Sequence, residues 1–95
     1  MEITVRVPDA LSRHTKGRRI LELEVQDEAT VEQALDALAL EHPAVERSVR
    51  DEAGVVRPHI NLFVDAIGLR DLGGLEHRLQ PGAQILVLPA VSGGA

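Results

Sequence analysis

Hydrophobic residues alternate with polar residues in three short segments of the chain, with the period of two that is typical of half-buried β-strands. These segments span residues 3–7, 21–25 and 60–65. Residues 67–70 fit one further short strand after a turn. Residues 85–88 form a continuous apolar run between a Pro-Gly turn and a proline, which predicts a central strand covered on both sides.

The sequence also predicts one main helix, over residues 31–42. Thr30 and Gln33 form a capping box, and the apolar residues after it recur at helical spacing. Residues 45–49 indicate a short helical turn, and residues 51–54 a loop. We expect the helix and the strands to share one core that includes Val5, Leu23, Leu35, Leu38, Leu62 and Val87.

This order of elements predicts an α+β protein. A single amphipathic helix covers only one face of a sheet, so the order favours one main helix across a mixed sheet of four or five strands. That arrangement is the β-grasp, or ubiquitin-like, fold, in which the first and last strands pair side by side at the centre. We expect a β-grasp domain over residues 1–88 and a flexible C-terminal tail over residues 89–95.

Composition excludes several classes of protein. The 95 residues suffice for a single core, and the absence of Cys excludes disulfides, zinc thiolates and a catalytic thiol. A net charge of -5 and a single aromatic residue, one Phe, argue against a nucleic-acid partner. No segment approaches the roughly 20 apolar residues of a membrane span, so we expect no membrane partner and a cytoplasmic location.

The sequence carries no signature of an enzyme. Its four histidines lie far apart, with no pair at the spacing of metal ligands on one helix face. No nucleotide-binding or nucleophile motif occurs, and the acidic residues lie mainly on the polar faces of predicted elements. We therefore expect a protein that is not an enzyme and binds no cofactor or metal of its own.

A local basic cluster lies between the first two predicted strands: Arg13, Lys16, Arg18 and Arg19. It is suited to an acidic partner surface or an anion, although a solvated hairpin loop is the simpler interpretation. Lys16 is also the only lysine of the chain. Chain-building like that of ubiquitin is therefore disfavoured.

The C-terminal segment after residue 88 leaves a central strand and does not return to the predicted core. Its seven residues reach at most about 25 Å when extended. Gly93 and Gly94 make its end slim, because glycine has no side chain. This segment is therefore suited to threading into the active site of another protein, although a frayed terminus would have the same composition.

The chain resembles the ubiquitin-like sulfur carriers of the ThiS/MoaD superfamily, in particular the CysO type of cysteine biosynthesis. The resemblance rests on VRVP (5–8), LSRHTKG (11–17), NLFVD (61–65), GGL (73–75) and, most specifically, ILVLPAVSGG (85–94). It implies that an ATP-dependent, ubiquitin-activating-like enzyme adenylates Gly94, and that a sulfur donor then converts the adenylate to a thiocarboxylate. It also implies a sulfur-acceptor synthase as a partner.

Within this interpretation each tail residue has a predicted role. Ser92 and Gly93 thread into the activating enzyme, and partner enzymes bind Leu88, Pro89 and Val91 at the tail base, next to an apolar patch on the sheet.

Two positions depart from the family pattern. The reactive glycine of the family ends the chain, whereas Ala95 follows Gly94 here. The chain then resembles a precursor that a zinc metalloprotease of the JAMM type trims, unless cloning added Ala95. Leu88 stands where molybdopterin carriers tend to have an aromatic residue, which leaves the pathway open.

Two other classes of function remain open from the sequence. The protein could be a modifier that is conjugated through Gly94 to lysines of target proteins. It could also be a β-grasp interaction module with an inert tail.

Overall fold

The computed structural model describes residues 1–90. Five strands form one sheet in the spatial order β2-β1-β5-β3-β4, and they span β1 (Glu2–Arg6), β2 (Ile20–Glu24), β3 (Ile60–Val64), β4 (Ile67–Gly68) and β5 (Gln84–Pro89). Strands β1 and β5 are parallel neighbours, and the other pairs are antiparallel. The first and last strands thus lie next to each other within the sheet, and the predicted mixed β-grasp sheet is confirmed.

The main helix is α2 (Val31–Glu41), and it begins with the predicted capping box. The backbone N–H of Gln33 donates to Oγ1 of Thr30 at 3.1 Å, and the N–H of Thr30 donates to Oε1 of Gln33 at 2.9 Å. These two bonds satisfy donors that a helix start leaves unpaired. The helix ends one residue earlier than predicted, because Pro43 disfavours helical dihedrals at the residue before it.

One face of the sheet packs against this helix and forms the core. The four longer strands contribute alternate side chains, so the residues that face the helix are buried and their neighbours face outward. All six predicted core residues are at most 4% exposed. Members of this core cluster include Ile3, Val5, Leu21, Leu23, Leu35, Leu38, Leu62, Leu79, Ile85 and Val87.

A second helix, α3 (Pro43–Val49), stands where the sequence indicated only a helical turn. Pro43 occupies its first position, where the missing N–H costs nothing. Val45 and Val49 are fully buried and attach α3 to the core. The predicted helical turn is shorter than the seven-residue helix that the structure shows. Two apolar positions after a proline are too few to define a helical period.

An ion pair made by the buried Arg50 links α3 to the main helix. Arg50, which is 7% exposed, donates from Nη2 to Oδ1 of Asp36 at 2.8 Å and from Nε to Oε1 of Glu46. Burial alone would lower the pKa of Arg50, but the hydrogen bonds to Asp36 and Glu46 outweigh it and raise that pKa. The guanidinium therefore stays charged, and it fixes the position of α3.

The connection between β1 and β2 is more ordered than a simple hairpin loop. It contains a short helix, α1 (Asp9–Ser12), and a 3-10 turn at Arg13–Thr15. Thr15 is buried, and its hydroxyl bonds to the carbonyl of Ser12 at 3.0 Å. Short elements of this kind have no hydrophobic period, so the sequence predicted only a loop.

The prediction that the last strand is covered on both sides is wrong. Ile85 and Val87 are fully buried, but Leu86 is only half-buried and Leu88 is 37% exposed. The helical layer of the described residues lies on one face only. The run is continuously apolar because Ile85 and Val87 face the core while Leu86 and Leu88, also apolar, lie on the open face of the sheet.

We expect Leu35→Ala to lower the free energy of unfolding by about 2 to 5 kcal/mol, because it leaves a cavity in the core. Leu40→Ala is the matched control on the same helix, since Leu40 is 87% exposed. Urea denaturation of both variants measures the difference. Equal stability of the two variants would contradict the orientation of α2.

We also expect Arg50→Ala to cost on the order of 2 kcal/mol, because it leaves the carboxylate of Glu46, only 14% exposed, without its partner. Arg47→Ala, on the exposed side of α3, should change stability by less than about 0.5 kcal/mol. Denaturant titration of the two variants tests this. An Arg50→Ala variant with an unchanged free energy of unfolding would refute the linking role of this residue.

Candidate functional site at the tail base

The C-terminal end of β5 lies at the edge of the sheet where β2 and β3 begin. Pro89 is in register with Ile60, and the N–H of Ala90 donates to the carbonyl of His59 at 2.7 Å. Among residues 1–90, backbone pairing with the segment before β3 thus extends to Ala90, and the division into a domain over residues 1–88 and a tail over residues 89–95 stays a prediction. The sheet holds the chain as far as Ala90, and the tail base has a fixed position and direction.

Pro89 fits this strand because of its place in the hydrogen-bonding pattern. In an antiparallel pair, every second residue pair exchanges no backbone bonds. The bond from Ala90 to His59 makes Ile60 and Pro89 such a pair, so the missing N–H of Pro89 faces away from β3. On that other side β1 has already ended at Arg6. The strand thus reaches its last residue without losing a bond to β3.

Leu88 projects from the open face of the sheet. It lines a shallow groove with Val7, Leu86, Arg6 and Arg19. Leu86 lies in register with Arg6 on one side and with Phe63 on the other. Leu86, Leu88 and Phe63 therefore lie on the same face of two neighbouring strands, beside the tail base, and we call these three residues the apolar patch.

Pro89 lines a second groove, with a volume of about 460 Å³. Its apolar wall comes from Pro8, Leu11 and Ile60, and its polar wall includes Arg47, Arg57 and His59. The side chain of Arg57 donates from Nε to the carbonyl of Arg47 at 2.9 Å. This bond ties the segment before β3 to α3 and fixes one side of the groove.

The structure describes two of the predicted contact residues. Leu88 and Pro89 are adjacent in the sequence, and because successive strand residues face opposite sides of a sheet, each lines a different groove beside the tail base. The other predicted site residues are Val91, Ser92, Gly93, Gly94 and Ala95, which lie outside the described residues, so their roles stay predictions.

Sequence reasoning did not single out Arg47 or Arg57. Both are ordinary surface arginines by sequence pattern, and the only signal for them is tertiary, since α3 and the segment before β3 meet beside Pro89. Arg6 could have been found, because its outward position on β1 follows from the alternation and from the pairing with β5.

Within residues 1–90, no three His, Asp or Glu side chains are grouped closely enough to hold a metal ion. No helix in the same range has the length and apolar character needed to cross a membrane.

A β-grasp sheet with a tail leaving its central strand defines a ubiquitin-like protein. Within that class, the model of the ThiS family matches residues 5–94, and the chain belongs to this family.

Relatives in this family include carriers and modifiers. Small archaeal modifier protein 1 of Haloferax volcanii is 35% identical over 82% of this chain and 85% of that protein. Sulfur carrier protein CysO of Mycobacterium tuberculosis is 27% identical over 99% of this chain and 100% of that protein. In the crystal structure of the Amycolatopsis orientalis BexX/CysO complex, the similar chain is 33% identical with a TM-score of 0.79, covering 97% of this chain and 99% of that one.

We expect Leu88→Asp to weaken docking onto an activating enzyme by about 2 kcal/mol without unfolding the chain, because a desolvated apolar contact at an interface centre carries much of the binding energy. Leu40→Asp makes the same change at a residue that is 87% exposed on α2. Kinetics of adenylation, with urea stability as the check on folding, measure the effect. A stably folded Leu88→Asp protein with unchanged kinetics would argue against docking at the tail base.

Proposed function

We propose that this protein is a sulfur carrier whose Gly94 carboxylate is adenylated and converted to a thiocarboxylate. The thiocarboxylate donates sulfur in the biosynthesis of cysteine or of another sulfur-containing metabolite. The observation that carries the proposal is the position of the Gly-Gly sequence: it follows within four residues of Ala90, where the sheet fixes the direction of the chain. Membership of the ThiS family and the CysO relatives support it.

The chemistry proceeds in two steps, activation of the carboxylate and then transfer of sulfur to it. The carboxylate of Gly94 attacks the α-phosphate of ATP, and pyrophosphate leaves. Sulfide, as HS⁻, then attacks the acyl carbon and AMP leaves, so that a C–S bond replaces the bond to AMP and the proton is released to solvent. The product is a thiocarboxylate, an anionic nucleophile at neutral pH. The chain has no Cys, so no thiol of its own competes for the activated acyl group.

Catalysis belongs to the partners in this proposal. A ubiquitin-activating-like enzyme binds ATP and adenylates the tail, and a sulfur-acceptor synthase consumes the thiocarboxylate, so this chain is a cosubstrate that needs no cofactor of its own. The complex of an Amycolatopsis CysO chain with BexX supports docking of such carriers onto another protein. We place these reactions in the cytoplasm, where ATP is available.

The second candidate function is conjugation to target proteins through Gly94. The 35% identity to small archaeal modifier protein 1 favours it. Incubation of the 94-residue form with ATP, a host activating enzyme and a sulfur source, followed by intact mass measurement, separates the two. A thiocarboxylate supports the carrier and stable lysine adducts support the modifier. An unchanged mass supports a β-grasp interaction module.

Ala95 requires removal before activation in this proposal, by a JAMM-type metalloprotease if the residue is native. We expect the 95-residue form to be inactive or nearly so and the 94-residue form to be adenylated. One extra residue moves the carboxylate by roughly 3.5 Å, and a misplacement of about 1 Å can cost a hundredfold in rate. ATP-pyrophosphate exchange with both forms measures the difference. Equal thiocarboxylate yields would show that Ala95 is tolerated and that the chain is no precursor.

Gly94→Ala in the 94-residue form separates chain length from crowding. It keeps the carboxylate at the right position but adds a methyl group beside the acyl carbon that the sulfur donor attacks. We expect a partial loss of thiocarboxylate, smaller than the loss caused by the extra residue. Full activity of this variant would show that the active site does not select a slim chain end.

A further inference from the structure

Charge is unevenly distributed along the sheet. At the end where the tail leaves, Arg6 ends β1 and the carbonyl of Arg19 accepts the N–H of Val7 at 2.8 Å. At the opposite end Glu2 is in register with Glu24, and an acidic turn follows β2. The protein therefore has a basic end around the tail base, although its net charge is -5.

The basic side chains form two rims, one beside each groove of the tail base. Arg6 and Arg19 lie beside Leu88, and Arg19 pairs with the exposed carboxylate of Asp9. Arg47 and Arg57, with His59, lie beside Pro89. Arg6 and Arg47 are exposed, and within residues 1–90 no carboxylate forms an ion pair with Arg6, Arg47 or Arg57. Their charge is directed to solvent on both sides of the departing chain.

We propose that these two rims bind an acidic protein surface that surrounds the tail-binding channel of the activating enzyme, and that they steer the tail into it. This inference rests on the proposed function, because it names the chemistry of the surface that receives the tail. Each rim borders an apolar groove that contains Leu88 or Pro89. Binding would thus join desolvated apolar contacts at the centre to charged contacts at the border, as in many protein interfaces.

An acidic protein surface fits these residues better than a nucleic acid does. Phosphate-tracking proteins carry clustered basic residues and aromatic stacking platforms, whereas here the rims are separated by apolar walls and the one aromatic residue is Phe63. The rims also flank the segment that enters the activating enzyme. Because the rims surround the tail, we assign the rims and the tail to the same partner.

Electrostatic steering acts mainly on the association rate and weakens as salt screens the charges. We expect Arg6→Glu combined with Arg47→Glu, in the 94-residue form, to slow association with the host adenylating enzyme by about tenfold at low salt. Neither side chain makes a hydrogen bond within residues 1–90, so the fold should persist. The difference from the unaltered protein should shrink in high salt.

Arg78→Glu is the control for charge at a position away from the tail base, near the start of α2. Because Nη1 of Arg78 donates to the carbonyl of Glu28 at 3.0 Å, urea denaturation of this variant checks that its fold persists. Stopped-flow association across a range of salt concentrations, with ATP-pyrophosphate exchange by the same samples, gives the readouts. If Arg78→Glu slows association by half as much, on a logarithmic scale, as the double variant, the effect depends only on net charge. That result would overturn the assignment to the rims. Association that is independent of salt would overturn it as well.

The two proposals fail in different ways. If the 94-residue form is adenylated but the double variant associates at the normal rate, the inference about the rims is wrong and the carrier function stands. If no host activating enzyme adenylates that form, the proposed function fails and the inference falls with it. Oligouridylate serves as a probe for the other class of partner. If the unaltered protein binds oligouridylate and the double variant does not, while both associate with the enzyme at the same rate, the rims are assigned to nucleic acid.

Discussion

Parallel pairing of the first and last strands is the constraint on which the rest of the structure depends. Because β1 and β5 run side by side in the same direction, the chain leaves the sheet at the end where β1 also leaves it. The connection from β1 to β2 must then cross this same end. That pairing places α1 and the loop that carries Arg18 and Arg19 beside the tail base, and the antiparallel pairing of β3 with β5 places the start of β3 there.

The one-sided helical layer determines what surface the tail base presents. With α2 and α3 on one face, β5 can bury only alternate side chains, and its remaining leucines face outward. An exposed apolar strand edge or face is a liability for a monomer unless a partner covers it. Here the apolar patch is contiguous with the departing chain, so a protein that takes up the tail would also cover the patch. Packing and docking therefore follow from the same apolar run.

The fold could be predicted from the sequence where the pattern has a clear period. Alternating strands, the capping box at Thr30 and the spacing of Leu35 and Leu38 fix the sheet, the main helix and the buried face. A continuous apolar run carries no period, so it could not show that Leu86 and Leu88 lie on an open face. The helix at Pro43–Val49 and the groove beside Pro89 depend on tertiary contacts, among them the buried Arg50, that no local pattern contains.

A negative net charge combined with a basic end at the tail base favours one orientation of this protein as it approaches an acidic partner. An acidic partner surface repels the body of this protein, where Glu2 and Glu24 face each other, and attracts the end that carries Arg6 and Arg47. Approach in the wrong orientation is then penalised before contact, and approach with the tail forward is favoured. The reaction proposed for Gly94 would gain from such a bias, because the surface that receives a partner is a small part of the molecule. The buried Arg50 contributes to this arrangement as well, since it holds the helix that presents Arg47.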